Sequence, residues 1–156
     1  MKTRQINGHD GSVYNVYCPS RPGTFERYSR LIVKKFGGLQ WTGPDIKVTF
    51  VINGMPHTIS TEREYWWDGA SIPKRFRWLI GTKTAQKFRL ASMWHDRGYE
   101  DRTQRVINDV IFYYVLLEMG VPAWKADLMY KAVRVGGFVY YAAETSSFWK
   151  WVRDKL

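Results

Sequence analysis

Two hydrophobic periods divide the chain. Up to about residue 66 apolar positions alternate or fall in short runs between turn residues, which predicts strands; from about Thr84 they recur every three or four residues, which predicts helices. The clearest strand is Ile46-Lys47-Val48-Thr49-Phe50-Val51-Ile52, whose alternation puts Ile46, Val48, Phe50 and Ile52 on one face. Asn53-Gly54 follows, the favoured pair for a two-residue hairpin, so a return strand is expected from about Met55 to Tyr65. Its early Pro56 suits an edge strand or a strand start. Ser12 to Cys18 reads as a shorter strand, Pro19 to Gly23 as a break, and Thr24 to Phe36 as a further extended stretch containing Leu31, Ile32 and Val33.

In the second half Phe88, Ala91, His95 and Tyr99 share one face of a helix starting near Thr84. Asp101-Arg102-Thr103 supplies a break and an N-cap. Val106, Ile107, Val110, Ile111, Tyr114, Leu117 and Met119 carry a second helix to Gly120. Val121-Pro122 opens a third, with Trp124, Leu128, Met129, Ala132 and Val133 on its buried side and Gly136-Gly137 at its end. Phe138 to Leu156 reads as a last amphipathic helix. The expected architecture is α+β in a single domain, 1–156. Antiparallel strands and a hairpin occupy 1–66, a connecting loop 67–83, and a bundle of three to four helices 84–156.

A chain of 156 residues can bury a core without disulfides, and its one cysteine, Cys18, excludes both an internal disulfide and a cysteine-based zinc site. The start of the chain lacks the apolar core of a signal peptide, and no stretch approaches about 18 consecutive apolar residues. A soluble protein is therefore expected. The formal charge of +10 and the aromatic content of 17% suit two partners, nucleic-acid phosphates or an anionic phospholipid membrane surface. Nucleic acid is the weaker candidate, because charge is its only support and no helix-turn-helix or zinc-finger spacing is present.

The chemistry gathers around Trp94-His95-Asp96-Arg97-Gly98-Tyr99 and Asp109. On one continuous helix His95 and Asp109 would lie about 21 Å apart. On an antiparallel pair turning near Asp101-Arg102 both sit roughly 10 Å from the turn, so imidazole and carboxylate can face each other. An imidazole oriented by a carboxylate leaves its second nitrogen free to act as a general base. Asp96 points about 100° away around the helix, toward Asp68-Gly69. Two carboxylates with loop carbonyls would make an oxygen-rich cation site, calcium before zinc. The alternative is a satisfied buried network of His95, Tyr99 and Asp109 that ties two helices together. His9 and His57 read as structural or surface residues.

Asp68-Gly69-Ala70-Ser71, His95-Asp96-Arg97-Gly98-Tyr99 and Asp109 with Phe112 resemble the core of the secreted phospholipase A2 superfamily, in particular its bacterial, fungal and parvoviral-capsid branches. The resemblance implies His95 as the base that activates water, Asp109 as its partner and Tyr99 as support for Asp109. It implies Asp96, Asp68 and the Gly69 carbonyl as calcium ligands. The glycine-rich calcium loop and the disulfides of the secreted enzymes are absent. Over about residues 45 to 137 the chain is also similar to a family found mainly in tailed bacteriophages and prophages and catalogued as a domain of unknown function. The residues carrying that similarity are Asp68 to Pro73, His95 to Tyr99, Asp109, Gly120 to Lys125, and Ala132-Val133-Arg134 with Gly136. It implies a location in the host cytoplasm or the virion, with other virion proteins as possible partners.

Overall fold

The computed structural model describes residues 1–8, 10–70, 77–101, 103–143 and 155, with backbone alone for 77, 78 and 136–143. Antiparallel strands come first and four helices follow, an α+β fold. One sheet has the order β1-β2-β5-β6, built from β1 (Arg4–Asn7), β2 (Val13–Tyr17), β5 (Ile46–Ile52) and β6 (Met55–Thr61). The smaller sheet orders β3 (Ile32–Lys35), β4 (Gly38–Trp41) and β7 (Trp66–Trp67). Helix α1 (Thr24–Arg30) lies between β2 and β3, and α2 (Arg77–Ile80), α3 (Gln86–Glu100), α4 (Arg105–Glu118) and α5 (Ala123–Ala143) complete the described elements.

The β5–β6 hairpin follows the alternation of its residues. Val48, Phe50 and Ile52 are buried, and Ile52 pairs with Met55 across the turn. Asn53 and Gly54 take φ of 50° and 80°, the two positive values that a twisted two-residue turn needs. Pro56 sits in β6, the edge strand, where its missing N–H costs no ladder bond on the open side.

Several expectations are corrected: Trp124, expected on the buried side of its helix, is 56% exposed, and the connecting loop expected over 67–83 contains α2. Thr24 to Phe36 is not one extended stretch: Thr24–Arg30 forms α1, because Phe25 and Tyr28, three apart, both turn inward. Phe25 meets Trp94 edge-on at 5.2 Å between ring centres, and Tyr28 meets Trp41 at 5.7 Å. The apolar run Leu31-Ile32-Val33 masks this helical spacing in the sequence. Gly136-Gly137 does not end the third helix either, since α5 continues to Ala143. Two interior glycines cost about 1 kcal/mol each relative to alanine, which a 21-residue helix packed along α4 absorbs. Of the expected last helix, 138–143 belong to α5, and the remainder apart from Lys155 lies outside the described residues. So does His9.

Trp41, Trp94, Phe25, Phe50 and Tyr114 form the fully buried centre. Trp94 is the joint between layers: Phe50 of β5 lies 5.5 Å from it and Phe25 of α1 lies 5.2 Å from it. One residue on, and so about 100° around α3, His95 points at α4 instead. Tyr114 fixes the far side of α4, its hydroxyl donating to the Lys2 carbonyl at 3.1 Å and accepting from the Cys18 amide at 3.3 Å. Among the described residues no helix is long and apolar enough to cross a membrane.

Candidate functional site

Helices α3 and α4 pack antiparallel across a short turn, in which the Asp101 amide donates to the Arg97 carbonyl and the Thr103 amide to the Gly98 carbonyl. The cap of α4 is Gln104 and carries no side-chain hydrogen bond, in place of the cap expected at Asp101-Arg102-Thr103. This geometry brings His95, Tyr99 and Asp109 together. His95 Nε2 lies 2.7 Å from Asp109 Oδ1, and the Tyr99 hydroxyl donates to the same oxygen at 3.1 Å. Asp109 is fully buried and His95 is 8% exposed. The His95 ring is held between Tyr99 and Phe112, with ring centres 4.7 and 4.9 Å away.

Three further residues complete the arrangement, and the sequence assigned none of them a role. Arg134 of α5 donates from Nη1 to Asp109 Oδ2 at 2.9 Å. Arg105, one turn before Asp109, approaches Oδ2 at 3.8 Å and donates to the Arg134 carbonyl. Asn108 Nδ2 donates to the His95 carbonyl at 2.7 Å. Arg134 was visible only within Ala132-Val133-Arg134, since a cation on one helix gives no sign of the carboxylate it meets on another. Asn108 carried no signal beyond its place next to Asp109.

The close approach of α3 and α4 depends on Gly98. A methyl group there would collide with the Asn108 side-chain amide, which has no free direction because its nitrogen holds the His95 carbonyl. Gly98→Ala is therefore expected to destabilise the protein by about 1–3 kcal/mol in denaturant unfolding. An unchanged midpoint would show that the helices separate freely at this point.

Electrostatics follow from burial and pairing. Desolvation alone would lower the His95 pKa, but the Asp109 and Asp96 carboxylates outweigh it and raise it above the ordinary 6.5. Burial would raise the Asp109 pKa, but His95 and Arg134 hold it below 3.8. Burial, and next the Asp109 charge, push the Tyr99 phenol up, so it stays a donor. An ionised Asp109 requires Nε2 to carry the proton, which leaves Nδ1 as the basic atom of neutral His95. Nδ1 lies 3.8 Å from Asp96 Oδ1, too long for a hydrogen bond.

Asp96 is raised chiefly by its burial, with Asp68 and Glu100 adding to the effect, so Asp68 lies within electrostatic reach. Gly69 has φ of 96°, and a Cβ there would press against the Lys83 carbonyl, which accepts the Ala70 amide at 2.8 Å. Glycine is thus required at this turn. Ser71-Ile72-Pro73 lies outside the described residues. The donor type suits calcium, but the carboxylates are only two. Among the described residues no group of three or more His, Cys, Asp or Glu is placed to hold a metal ion. A calcium ion here would draw its other ligands from carbonyls, water and substrate.

Residues 46–133, which hold every residue of this site but Arg134, match the model of a family described as "Protein of unknown function (DUF1353)". The "Uncharacterized protein y4jT" of Sinorhizobium fredii (strain NBRC 101917 / NGR234) is 42% identical over 72 residues. That alignment covers 45% of this chain and 21% of the relative, so the chain spans about a fifth of the curated protein it matches. No solved structure matches the chain.

Proposed function

The chain belongs to the DUF1353 family, and from that premise we propose that it is a phage-type ester hydrolase with a phospholipase A2-like His95–Asp109 site, acting on phospholipid at an anionic membrane. The observation that carries this reading is the division of the two imidazole nitrogens. Nε2 is held by a fully buried carboxylate, and Nδ1 faces the Asp96 side, 3.8 Å from its Oδ1, with no hydrogen bond among the described residues. Nδ1 takes a proton from water as the water oxygen attacks the ester carbonyl. The carbon–oxygen bond to the lysolipid then breaks, and the proton passes from Nδ1 to the leaving alkoxide. Asp109 holds the tautomer and balances the imidazolium, and Tyr99 fixes Asp109. Calcium, held by Asp96, Asp68 and the Gly69 carbonyl, would polarise the ester and steady the oxyanion.

The test is fatty-acid release from anionic phospholipid vesicles, with millimolar calcium and with a chelator. Release is expected with calcium, rising with pH as His95 loses its proton. No release with any divalent ion between pH 6 and 10 would sink the reading. One observation favours a second reading, in which the network is structural: Asp109 is satisfied on both oxygens, Oδ1 by His95 and Tyr99 and Oδ2 by Arg134. A non-enzymatic virion or tail component would need only that.

A further inference from the structure

The β3–β4 hairpin ends in a residue that neither turn chemistry nor packing accounts for. Phe36 has φ of 52°, a left-handed conformation that bulky side chains rarely adopt and that asparagine or glycine would take readily. Its ring is 85% exposed, so burial within the fold does not compensate. Behind it, strand register places Val33, Gln40 and Trp66 on one outward face, with Val33 and Trp66 exposed. The Trp66 indole is fixed there by donating Nε1–H to the Lys35 carbonyl at 2.8 Å. Lys34 and Lys35, both exposed, precede the apex on β3, Lys35 on the face of Val33 and Trp66 and Lys34 on the opposite face, and the Lys35 ammonium lies 5.3 Å from the Phe36 ring centre. From Arg27 to Pro44 the chain carries Arg27, Arg30, Lys34 and Lys35 and no acidic residue.

We infer that this hairpin is a membrane anchor: Phe36 enters the acyl boundary of an anionic phospholipid surface, Lys34 and Lys35 meet the headgroup phosphates, and Trp66 rests at the interface. Charge complementarity commits the patch to an anionic partner, and shape selects lipid. A strand of nucleic acid is followed by a groove that combines cations with stacking rings. Here the ring is exposed at a hairpin tip with the Lys35 ammonium beside it, an apolar group next to a cation as at the boundary between headgroups and hydrocarbon. The inference rests on the proposed lipid substrate for its purpose, but not for its geometry. Strand β7 runs directly into Asp68, so the anchor and the candidate site share one segment of backbone.

Binding is separated from hydrolysis by using ether-linked phospholipid vesicles, which offer no ester to cleave. The full chain is expected to co-sediment with vesicles rich in phosphatidylglycerol and not with pure phosphatidylcholine. Phe36→Asn is expected to weaken partitioning about tenfold, with a melting temperature equal to or above that of the wild type because asparagine suits the turn. Lys34→Gln with Lys35→Gln is expected to weaken it about thirtyfold at low salt. Equal binding by the wild type and Phe36→Asn would overturn the inference. So would tight binding of an oligonucleotide that is lost in the same variants. Cleavage of a dispersed short-chain ester without vesicle binding overturns the anchor alone; vesicle binding without any ester cleavage supports the anchor and sinks the hydrolase.

Discussion

Asp109→Ala is expected to destabilise the protein by about 3–5 kcal/mol, the range found when one partner of a buried ion pair is removed. Asp109 is the common acceptor for His95, Tyr99 and Arg134, so its loss strands three donors at once. His95 and Tyr99 lie on α3 and Arg134 on α5, helices that Asp109 ties to α4, so both helix packings loosen together. Thermal melting reads the effect as roughly 2–4 °C for each kcal/mol in a chain of this size. The same contacts set a pH window. The lowered Asp109 pKa stabilises the fold above about 3.8 and is lost as pH falls through the folded value. The raised His95 pKa stabilises it below 6.5 and is lost as pH rises through its folded value. Both groups titrate as a pair, so stability is expected to be greatest between these limits. A melting temperature in Asp109→Ala within 2 °C of the wild type would show that the buried carboxylate holds nothing together.

His95→Gln is expected to reduce ester hydrolysis about 10²- to 10⁴-fold while leaving the fold intact, the loss typical of removing a general base. Glutamine can still donate from its side-chain amide toward Asp109, so the buried carboxylate keeps a partner, but an amide has no basic nitrogen with which to take a proton from water. A purely structural network predicts the reverse weighting, with stability carrying the whole effect and no turnover in either protein.

Much of the fold was legible because its strongest signals are local. Ile46 to Ile52 with Asn53-Gly54 specifies a hairpin without reference to the rest of the chain, and the spacing of Phe88, Ala91, His95 and Tyr99 specifies one helical face. The facing of His95 and Asp109 followed from helix rise and turn length alone. What escaped was non-local. Arg134 reaches Asp109 from a helix 25 residues further on. The α1 helix has seven residues, too few to show a period beside an apolar run, and is held by Phe25 and Tyr28 against Trp94 and Trp41. Gly98 carried no signal of its own in the sequence, and it admits the Asn108 amide between two helices. Strand β1 lacked alternation over its four residues and is defined by pairing Arg4 with Val16 and Asn7 with Val13.

The divided imidazole of His95 is tested most directly by fatty-acid release from anionic ester-lipid vesicles, measured for wild type and His95→Gln together with the melting temperature of each. Turnover by the wild type that falls at least a hundredfold in His95→Gln is the expected result. Equal rates in the two proteins, or no release from either while His95→Gln melts well below the wild type, would contradict it and leave the network as a structural tie.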